Sequence, residues 1–469
     1  MFICGLLSGG AAMIVMKFGG TSVEDAPSIE RVAEIIRERL HLKPIVIVSA
    51  MGKTTSKLLQ AAEASAAGDS RTTLGIVADL KTRHTSEARR LVTKSEGREV
   101  FTLIEKHFDE LKKLLEGLAI LGEVPPRGLD KILAYGELLS SAVLADALTE
   151  RGIQARLLDA RELIKTDDRF GAASPMDSLT NQRIIENVLP VINTGAVPVI
   201  QGFIGSSRDG ATTTLGFEGS DYTATILGAA LDAEDIQIWK DVPGLMTADP
   251  AIFTGARTVK SCSFAEAAEL THFGAKVLHP KAIHPAARKN ISVHIYNSKN
   301  PSAPGTTITA SATRSANPIK SITYKRPVTI INAEAVLGTD MSRVFLDVLA
   351  KRRVEPLLMS SSGSHVVLAI DSRDLRHGGR DLIEAVSGQG TAAADANCAV
   401  VSVVGAGLRG EPAVVSQIFN AIKGIEVGLI VHGSSPLTMS VVVAESDVEQ
   451  TVSRLHGAFF EKLDPQVFE

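Results

Sequence analysis

Lysines, hydroxyls and glycines gather where short apolar runs end, and that grouping defines the chemistry open to this chain. The run Ile14–Phe18 carries Lys17 and continues into Gly19-Gly20-Thr21-Ser22. Glycines let backbone N–H groups approach an anion, and a lysine is a compact point charge for phosphoryl oxygens. An ordinary strand-to-helix turn with an exposed lysine has the same letters, so this motif alone is only suggestive. A second turn, Ser49-Ala50-Met51-Gly52-Lys53-Thr54-Thr55, ends the next apolar run. Its Gly52-Lys53-Thr54 resembles the tail of a P-loop, but Ile47 stands where the earlier glycine is required. It is a hydroxyl-rich turn at a strand end, where ligands bind in open α/β sheets.

The segment Thr212–Asp221 leads into a helix expected over Tyr222–Leu231, with Ser220 as its N-cap. Free N–H groups there would face phosphate, and Asp221 would orient a lysine or a substrate ammonium. A capped helix without any ligand explains the segment equally well. Trp239-Lys240-Asp241-Val242-Pro243-Gly244 closes another strand, and Ser263-Phe264-Ala265-Glu266 has the form of a capping box. Phe273–Pro280 places Lys276 in a glycine-broken segment. His279 and His284 each precede a proline with no third ligand nearby, which favours structural histidines over a metal site. Gly405-Ala406-Gly407-Leu408-Arg409-Gly410 is a literal GxGxxG between a strand and a helix. Too little chain follows it for a dinucleotide-binding sheet, so it reads as a tight turn.

These turns need strands and helices to position them. Strands are expected at Ile14–Phe18, Ile45–Ser49, Ala155–Leu158, Val197–Gly202, Ile236–Trp239 and Ser292–Tyr296. Several are continuous apolar runs, as strands buried on both faces should be. Helical patterns lie between them, at Ser28–Leu40, Asp130–Arg151 and Asn181–Asn193. The alternation predicts an α/β fold with a mainly parallel central sheet flanked by helices. Thr306–Pro318 reads as a linker. Beyond it, strand, helix, strand, strand recurs: Val328–Ile331, Ser342–Arg352, Glu355–Met359 and His365–Ile370, then Ala399–Val404, Pro412–Ile422, Glu426–Val431 and Leu437–Ala444. A last helix starts at Asp447. This is a tandem repeat of small units that should pair.

The 469 residues suit several domains, and a 45% hydrophobic fraction supplies a substantial core. A net charge of −4 argues against a nucleic-acid binder. Three scattered cysteines argue against a disulfide framework and favour a reducing, cytoplasmic setting. No uninterrupted apolar run reaches the roughly 20 residues of a membrane span. Residues 1–12 lack a basic start and a long apolar core, and are expected to precede a folded domain beginning near Met13 or Met16.

Taken in order, the motifs resemble those of the aspartate kinases, amino-acid kinases with C-terminal tandem ACT domains. The matching stretches are Lys17–Val23, the turn after the second strand, Gly136–Ser140, Thr166–Gly171, Val199–Gly205, Thr212–Ala224, Trp239–Gly244 and Phe273–Pro280. The resemblance implies an amino-acid kinase catalytic domain over 13–310 and two ferredoxin-like (βαββαβ) ACT units over 319–469. It implies transfer of the γ-phosphoryl group of ATP, with Mg²⁺, to the side chain of L-aspartate, the first step towards lysine, threonine and methionine. Position by position, Lys17 binds the transferring phosphoryl oxygens, and Asp221 holds Lys17 and the substrate ammonium, which Glu137 also faces. Ser49 and Thr55 lie near the acceptor carboxylate, Gly19, Gly20 and Gly219 cradle phosphate, and Lys240, Asp241 and Lys276 belong to the nucleotide. No residue is assigned to a metal.

Three departures from the family pattern stand out. Phe217 replaces an arginine expected to grip a substrate carboxylate, with Glu218 in place of a small residue, and Arg169 is the expected substitute. Ala251 replaces a basic residue after Asp249-Pro250. Leu357 replaces an acidic residue expected to meet a lysine effector. A homodimer or larger assembly inhibited by an amino acid is implied. A related carboxylate kinase of the same fold, or an inactive amino-acid sensor, is the alternative.

Overall fold

The computed structural model describes residues 13–93, 98–216, 218–275, 278, 280–313, 315–336, 340–352, 354–375, 379–386, 389–408 and 410–469. The extension expected before Met13 lies outside them. The chain divides into two compact units: one runs to Gly244 and resumes over Lys281–Thr309, and the other takes Leu245–Pro280 and Ala310–Glu469.

The first unit opens with β1 (Ile14–Phe18), α1 (Ala26–Glu38) and β2 (Pro44–Val48). Four long helices follow: α2 (Thr54–Ala66), α3 (Ser70–Leu91), α4 (Arg98–Leu121) and α5 (Pro126–Glu150). Next come β3 (Ala155–Leu158), α6 (Ala160–Leu163), α7 (Asp177–Asn193), β4 (Val197–Gln201), the hairpin β5 (Ile204–Ser206) and β6 (Thr212–Thr214), α8 (Gly219–Ala230) and β7 (Asp235–Lys240). The chain then supplies β8 (Ser261–Ser263) and α9 (Phe264–His272) to the second unit, and returns with α10 (Ile283–Lys289), β9 (Ser292–Asn297) and β10 (Thr306–Thr309).

Within this unit the sheet order is β3-β4-β2-β1-β7-β9-β10. Its pairings are parallel up to β9, and β10 returns antiparallel. β1, β2 and β4 are buried at every position, which explains sequences that are apolar except for Lys17 in β1 and Gln201 in β4. Phe18 lies level with Val48 and Trp239, so the turns after β1, β2 and β7 open on one edge. Thr306–Thr309, expected as linker, is instead the strand β10. Its four residues are all β-branched, and Thr306 and Ile308 turn inward.

α5 is apolar enough to pass for a membrane span, yet 83% of its most apolar window is buried inside the fold. It is the core helix that brings polar groups to the sheet edge. Near its start, the buried Asp130 carboxylate accepts from Gly171 N–H at 3.0 Å, Thr214 N–H at 2.8 Å and Thr214 Oγ1 at 2.8 Å. It thereby ties the loop before α7 to β6.

In the second unit, β11 (Ser321–Ala335), α11 (Met341–Arg352), β12 (Leu358–Ser362), β13 (His365–Asp371), α12 (Arg380–Val386) and β14 (Gly390–Val404) are followed by α13 (Pro412–Ala421), β15 (Leu429–His432), β16 (Thr438–Ala444) and α14 (Val448–Phe459). They build one antiparallel sheet, β12-β13-β11-β14-β16-β15. β11 and β14 are 15 residues each and pair in two stretches separated by register shifts near Val328. Each long strand therefore serves both repeats, and the two ferredoxin-like units merge. The expected strand Glu355–Met359 begins later, at Leu358, after Pro356, which has no N–H to give a ladder. The capping box forms as expected, with Ser263 and Glu266 exchanging bonds at the start of α9.

The glycines of the GxGxxG serve packing. A Cβ at Gly407 would lie 2.4 Å from Pro318 Cα, and Gly407 N–H donates to Pro318 O at 2.9 Å. Arg409 of that motif lies outside the described residues.

Replacing Asp130 tests the tie between α5 and the two loops. Asp130→Ala strands two backbone donors, so unfolding in urea is expected to show a loss of about 2–3 kcal/mol. An unchanged midpoint would show that the loops hold without it.

Candidate active site

Three polar side chains meet beside the edge where β1 and β7 end. Lys17 Nζ lies 2.5 Å from Asp221 Oδ1, and Lys240 Nζ lies 3.0 Å from Asp221 Oδ2. Asp221 is fully buried in the first turn of α8, and the two lysines reach it from β1 and β7. Burial opposes ionisation of Asp221, but the two ammonium groups outweigh it and hold the carboxyl below its ordinary range. Burial also lowers Lys17 against the pull of Asp221, whereas Asp221 and Glu218 together keep Lys240 above its usual value despite burial. Within the buried cluster two ammoniums on one carboxylate leave a positive excess, which suits a phosphoryl group, while Glu218 acts on both lysines from outside it.

The glycines open this corner. Gly19 N–H donates to Trp239 O at 2.9 Å, and Gly52 N–H to Gly20 O at 2.9 Å. A Cβ at Gly20 would stand 2.7 Å from Ala50 O, so the turns after β1 and β2 touch only because Gly20 has no side chain. Ser22 Oγ and Ser298 Oγ lie 2.8 Å apart, and Ser298 N–H donates to Lys240 O at 2.7 Å, fixing the end of β7. Asp241 is exposed just beyond it.

Glu137 sits one residue past Gly136 on α5. A Cβ on Gly136 would lie 2.7 Å from Ala50 Cβ and 3.6 Å from Thr55 Oγ1, so the helix presses directly on the second turn. Glu137 Oε1 accepts from Ala50 N–H at 3.1 Å. Its Oε2 is buried and accepts no hydrogen bond among the described residues. Burial pushes this carboxyl up to about 8, opposed by the Ala50 N–H and, more weakly, by Lys17. A buried acceptor without a donor is costly, and this oxygen is open to a donor from outside the protein. Ser49 N–H donates to Phe18 O at 3.1 Å, and Ser49 O accepts from Ser140 Oγ at 2.8 Å. Thr55 stands in the first turn of α2.

Ser220 does not cap α8. The cap residue is Glu218, in the left-handed region at φ 56°, and Gly219 is the first helical residue. The helix starts earlier than expected, which carries Asp221 into the first turn. Arg169 is half-exposed and committed to its own loop, with Nε 2.6 Å from Asp167 Oδ2 and Nη2 2.5 Å from Ser174 Oγ. Lys276, His279 and Phe217 lie outside the described residues. Sequence reasoning missed Asp130, Ser22 and Ser298. Asp130 was within reach, standing two helical turns before Glu137 on the same face of α5.

The model of the amino acid kinase family matches residues 12–297, and that of the ACT domain matches residues 401–459. Aspartokinase 2, chloroplastic, of Arabidopsis thaliana is 34% identical, over 95% of this chain and 84% of the relative. Lysine-sensitive aspartokinase 3 of Escherichia coli is 32% identical, over 96% of this chain and 99% of the relative. Among solved structures, E. coli aspartokinase III with aspartate and ADP, in the R-state, matches with a TM-score of 0.86 and 31% identity, covering 96% of this chain and all of that one. The family models, the near full-length relatives and the kinase-plus-ACT architecture agree: this chain belongs to the amino acid kinase family and, within it, to the aspartokinases.

Proposed function

We propose that the Lys17–Asp221–Lys240 cluster is where this aspartokinase moves the γ-phosphoryl group of ATP to the side-chain carboxylate of L-aspartate. The observation that carries this reading is the positive excess of the buried cluster at the sheet edge, beside the donorless Oε2 of Glu137. An aspartate side chain, with an ordinary pKa near 3.9, is already a nucleophile at neutral pH and needs no general base. The obstacle is the approach of an anion to a polyanion. Phosphoryl transfer is catalysed chiefly by positioning and charge stabilisation.

In this reading Lys17 faces the transferring oxygens and Asp221 keeps both lysines in place. Lys240 and Asp241 serve the nucleotide, with Gly19, Gly20 and Gly219 leaving room for phosphate. Glu137 takes the substrate ammonium, and Ser49 and Thr55 flank the acceptor carboxylate. Mg²⁺ would be held mainly by nucleotide phosphates, as that ion prefers, and would supply charge neutralisation there. Asp221 is saturated by its lysines, and the exposed Asp241 is the carboxylate placed to assist. Residues 13–310 form the catalytic domain and 319–469 the regulatory one. The reading places the enzyme in the cytoplasm, and the unpaired thiols of Cys262 and Cys398 fit a reducing compartment.

We further propose a homodimer, with an amino-acid end product as inhibitor acting through the tandem repeat. Leu357 packs in an apolar cluster with Phe273, Val328 and Val442, and offers no carboxylate to a lysine effector. Threonine is therefore the first effector to test.

Lys17→Ala is expected to keep the fold and lower turnover by about 10²–10³-fold, the scale of one transition-state charge contact. Normal turnover by the folded variant would sink the assignment.

The pH profile tests Glu137. Its carboxyl must ionise to receive an ammonium, and burial holds it protonated below about 8 in the free enzyme. Hence kcat/KM for aspartate should rise with pH up to about 8 and level off above, since kcat/KM reports the free enzyme. Glu137→Gln should remove that rising limb.

Calorimetric titration with threonine and with lysine, beside activity assays, examines regulation. Binding and inhibition should coincide. If neither amino acid binds at millimolar concentration, the repeats serve assembly alone.

A further inference from the structure

Arg83 lies on α3, a helix that carries none of the residues assigned above. Its guanidinium nonetheless covers one turn of the site and bonds the end of another. Gly52 has φ +52°, and a Cβ built on it would lie 2.3 Å from Arg83 Nη2, 3.0 Å from Nη1 and 3.1 Å from Cζ. The planar group thus fills the space over Gly52 that any other residue would use. The same Nη2 donates to Glu24 O at 2.8 Å, just past the helical turn Gly20–Val23. One helical turn further on, Glu87 Oε2 accepts from Ala26 N–H at 2.7 Å. A single face of α3 therefore grips the chain leaving β1 and the turn leaving β2.

We propose that Arg83 is a positioning residue that straps the Gly20 turn to the Gly52 turn, fixing phosphoryl donor and acceptor carboxylate relative to each other. The proposal rests on the site reading above, in which the first turn cradles phosphate and the second flanks the acceptor. Between them the direct link is the Gly52 N–H bond to Gly20 O. That bond and the Ser49 N–H bond to Phe18 O hold the roots of the two turns, and the guanidinium braces them farther out, lying over Gly52 and donating to Glu24 O. Guanidinium suits the task because it is flat and offers five donors in a fixed fork. Arg83 has no carboxylate within ion-pair distance among the described residues, so its charge is not spent on a surface pair.

Such a strap acts on orientation more than on binding. Each substrate keeps its own contacts, while the distance between the reacting atoms loosens, and small misplacements of this kind are costly to turnover. Arg83→Met is therefore expected to lower kcat for hydroxylamine-trapped acyl phosphate by about ten- to a hundredfold. The KM values for aspartate and for ATP should each move by less than about threefold, because uniform binding is retained. The thermal midpoint should stay near that of the parent enzyme. Arg83→Lys keeps the charge, but an ammonium cannot lie over Gly52 and bond Glu24 O together, so its kcat should also fall. If Arg83→Met does not fold, the lysine variant decides.

Gly52→Ala displaces the guanidinium from the other side. Its kcat loss should not add to that of Arg83→Met in the double variant, because both break one strap. Unchanged kcat, a loss confined to KM, a loss matched by a collapsed midpoint, or additive losses would each overturn the proposal. Failure of the site reading is separately visible, since Lys17→Ala would then keep its turnover whatever the Arg83 variants do.

Discussion

One buried carboxylate holding two ammonium groups is the interaction to which the rest of the first unit is fitted. Charges buried without partners are expensive, and a buried ion pair repays its desolvation only when the geometry is close. Asp221 meets that condition because α8 is pressed hard onto the sheet. A Cβ at Gly228 would lie 2.6 Å from Ile236 Cδ1, and one at Gly202 would lie 2.5 Å from Ser220 Cβ. Gly202 lets the first turn of α8 settle beside the end of β4, and Gly228 seats its last turn on Ile236 near the start of β7. The left-handed Glu218 then starts the helix early enough for Asp221 to face both lysines. Remove the close approach, and the lysines would be left with like charges adjacent and no common partner.

The same logic governs Glu137. Its second oxygen is buried with no donor among the described residues, a cost that a donor from a ligand or a water would relieve. Two of the buried polar centres, a cationic one set by β1, β7 and α8 and an acceptor one set by α5, thus stand at the same sheet edge. Asp130 shows the contrasting case on the same helix. It is equally buried, but four donor contacts satisfy it, and it acts as a structural tie.

How much of this was legible in the sequence follows from which interactions are local. β1, β2, β4 and β7 were readable because strands buried on both faces show as mainly apolar runs. Lys17, Glu137, Asp221 and Lys240 were readable because each lies in a short motif. The helices α2, α3 and α4 were not located: each is more amphipathic than α5, but no strand lies between them to mark their bounds. With them went Arg83, whose meaning depends on Gly52, 31 positions earlier in the chain. Ser220 was misread as a cap because a hydroxyl before an apolar run is the usual signal, whereas the actual cap is fixed by a backbone conformation. The GxGxxG shows the converse: the same letters that open the kinase turns serve, at Gly405 and Gly407, to admit Pro318.

The division of the chain bears on how an enzyme of this kind can be regulated. Leu245–Pro280, which includes the Asp249-Pro250 pair, belongs to the compact unit that carries the tandem repeat. Within that unit Thr247 Oγ1 lies 2.9 Å from His456 Nε2 of α14, Tyr324 Oη of β11 donates to Asp249 Oδ2 at 3.2 Å, and Ser321 Oγ donates to Met246 O at 2.7 Å. Burial lowers the His456 ring to about 4, so it is neutral at physiological pH and the contact is not a proton switch there. The tie of the segment to β11 and α14 is therefore independent of pH near neutrality. An effector shifts an equilibrium only by its differential affinity for two arrangements. Any ligand that favours one placement of those elements must also bias the segment tied to them. Linkage makes any such effect reciprocal between two ligands that both bias this segment.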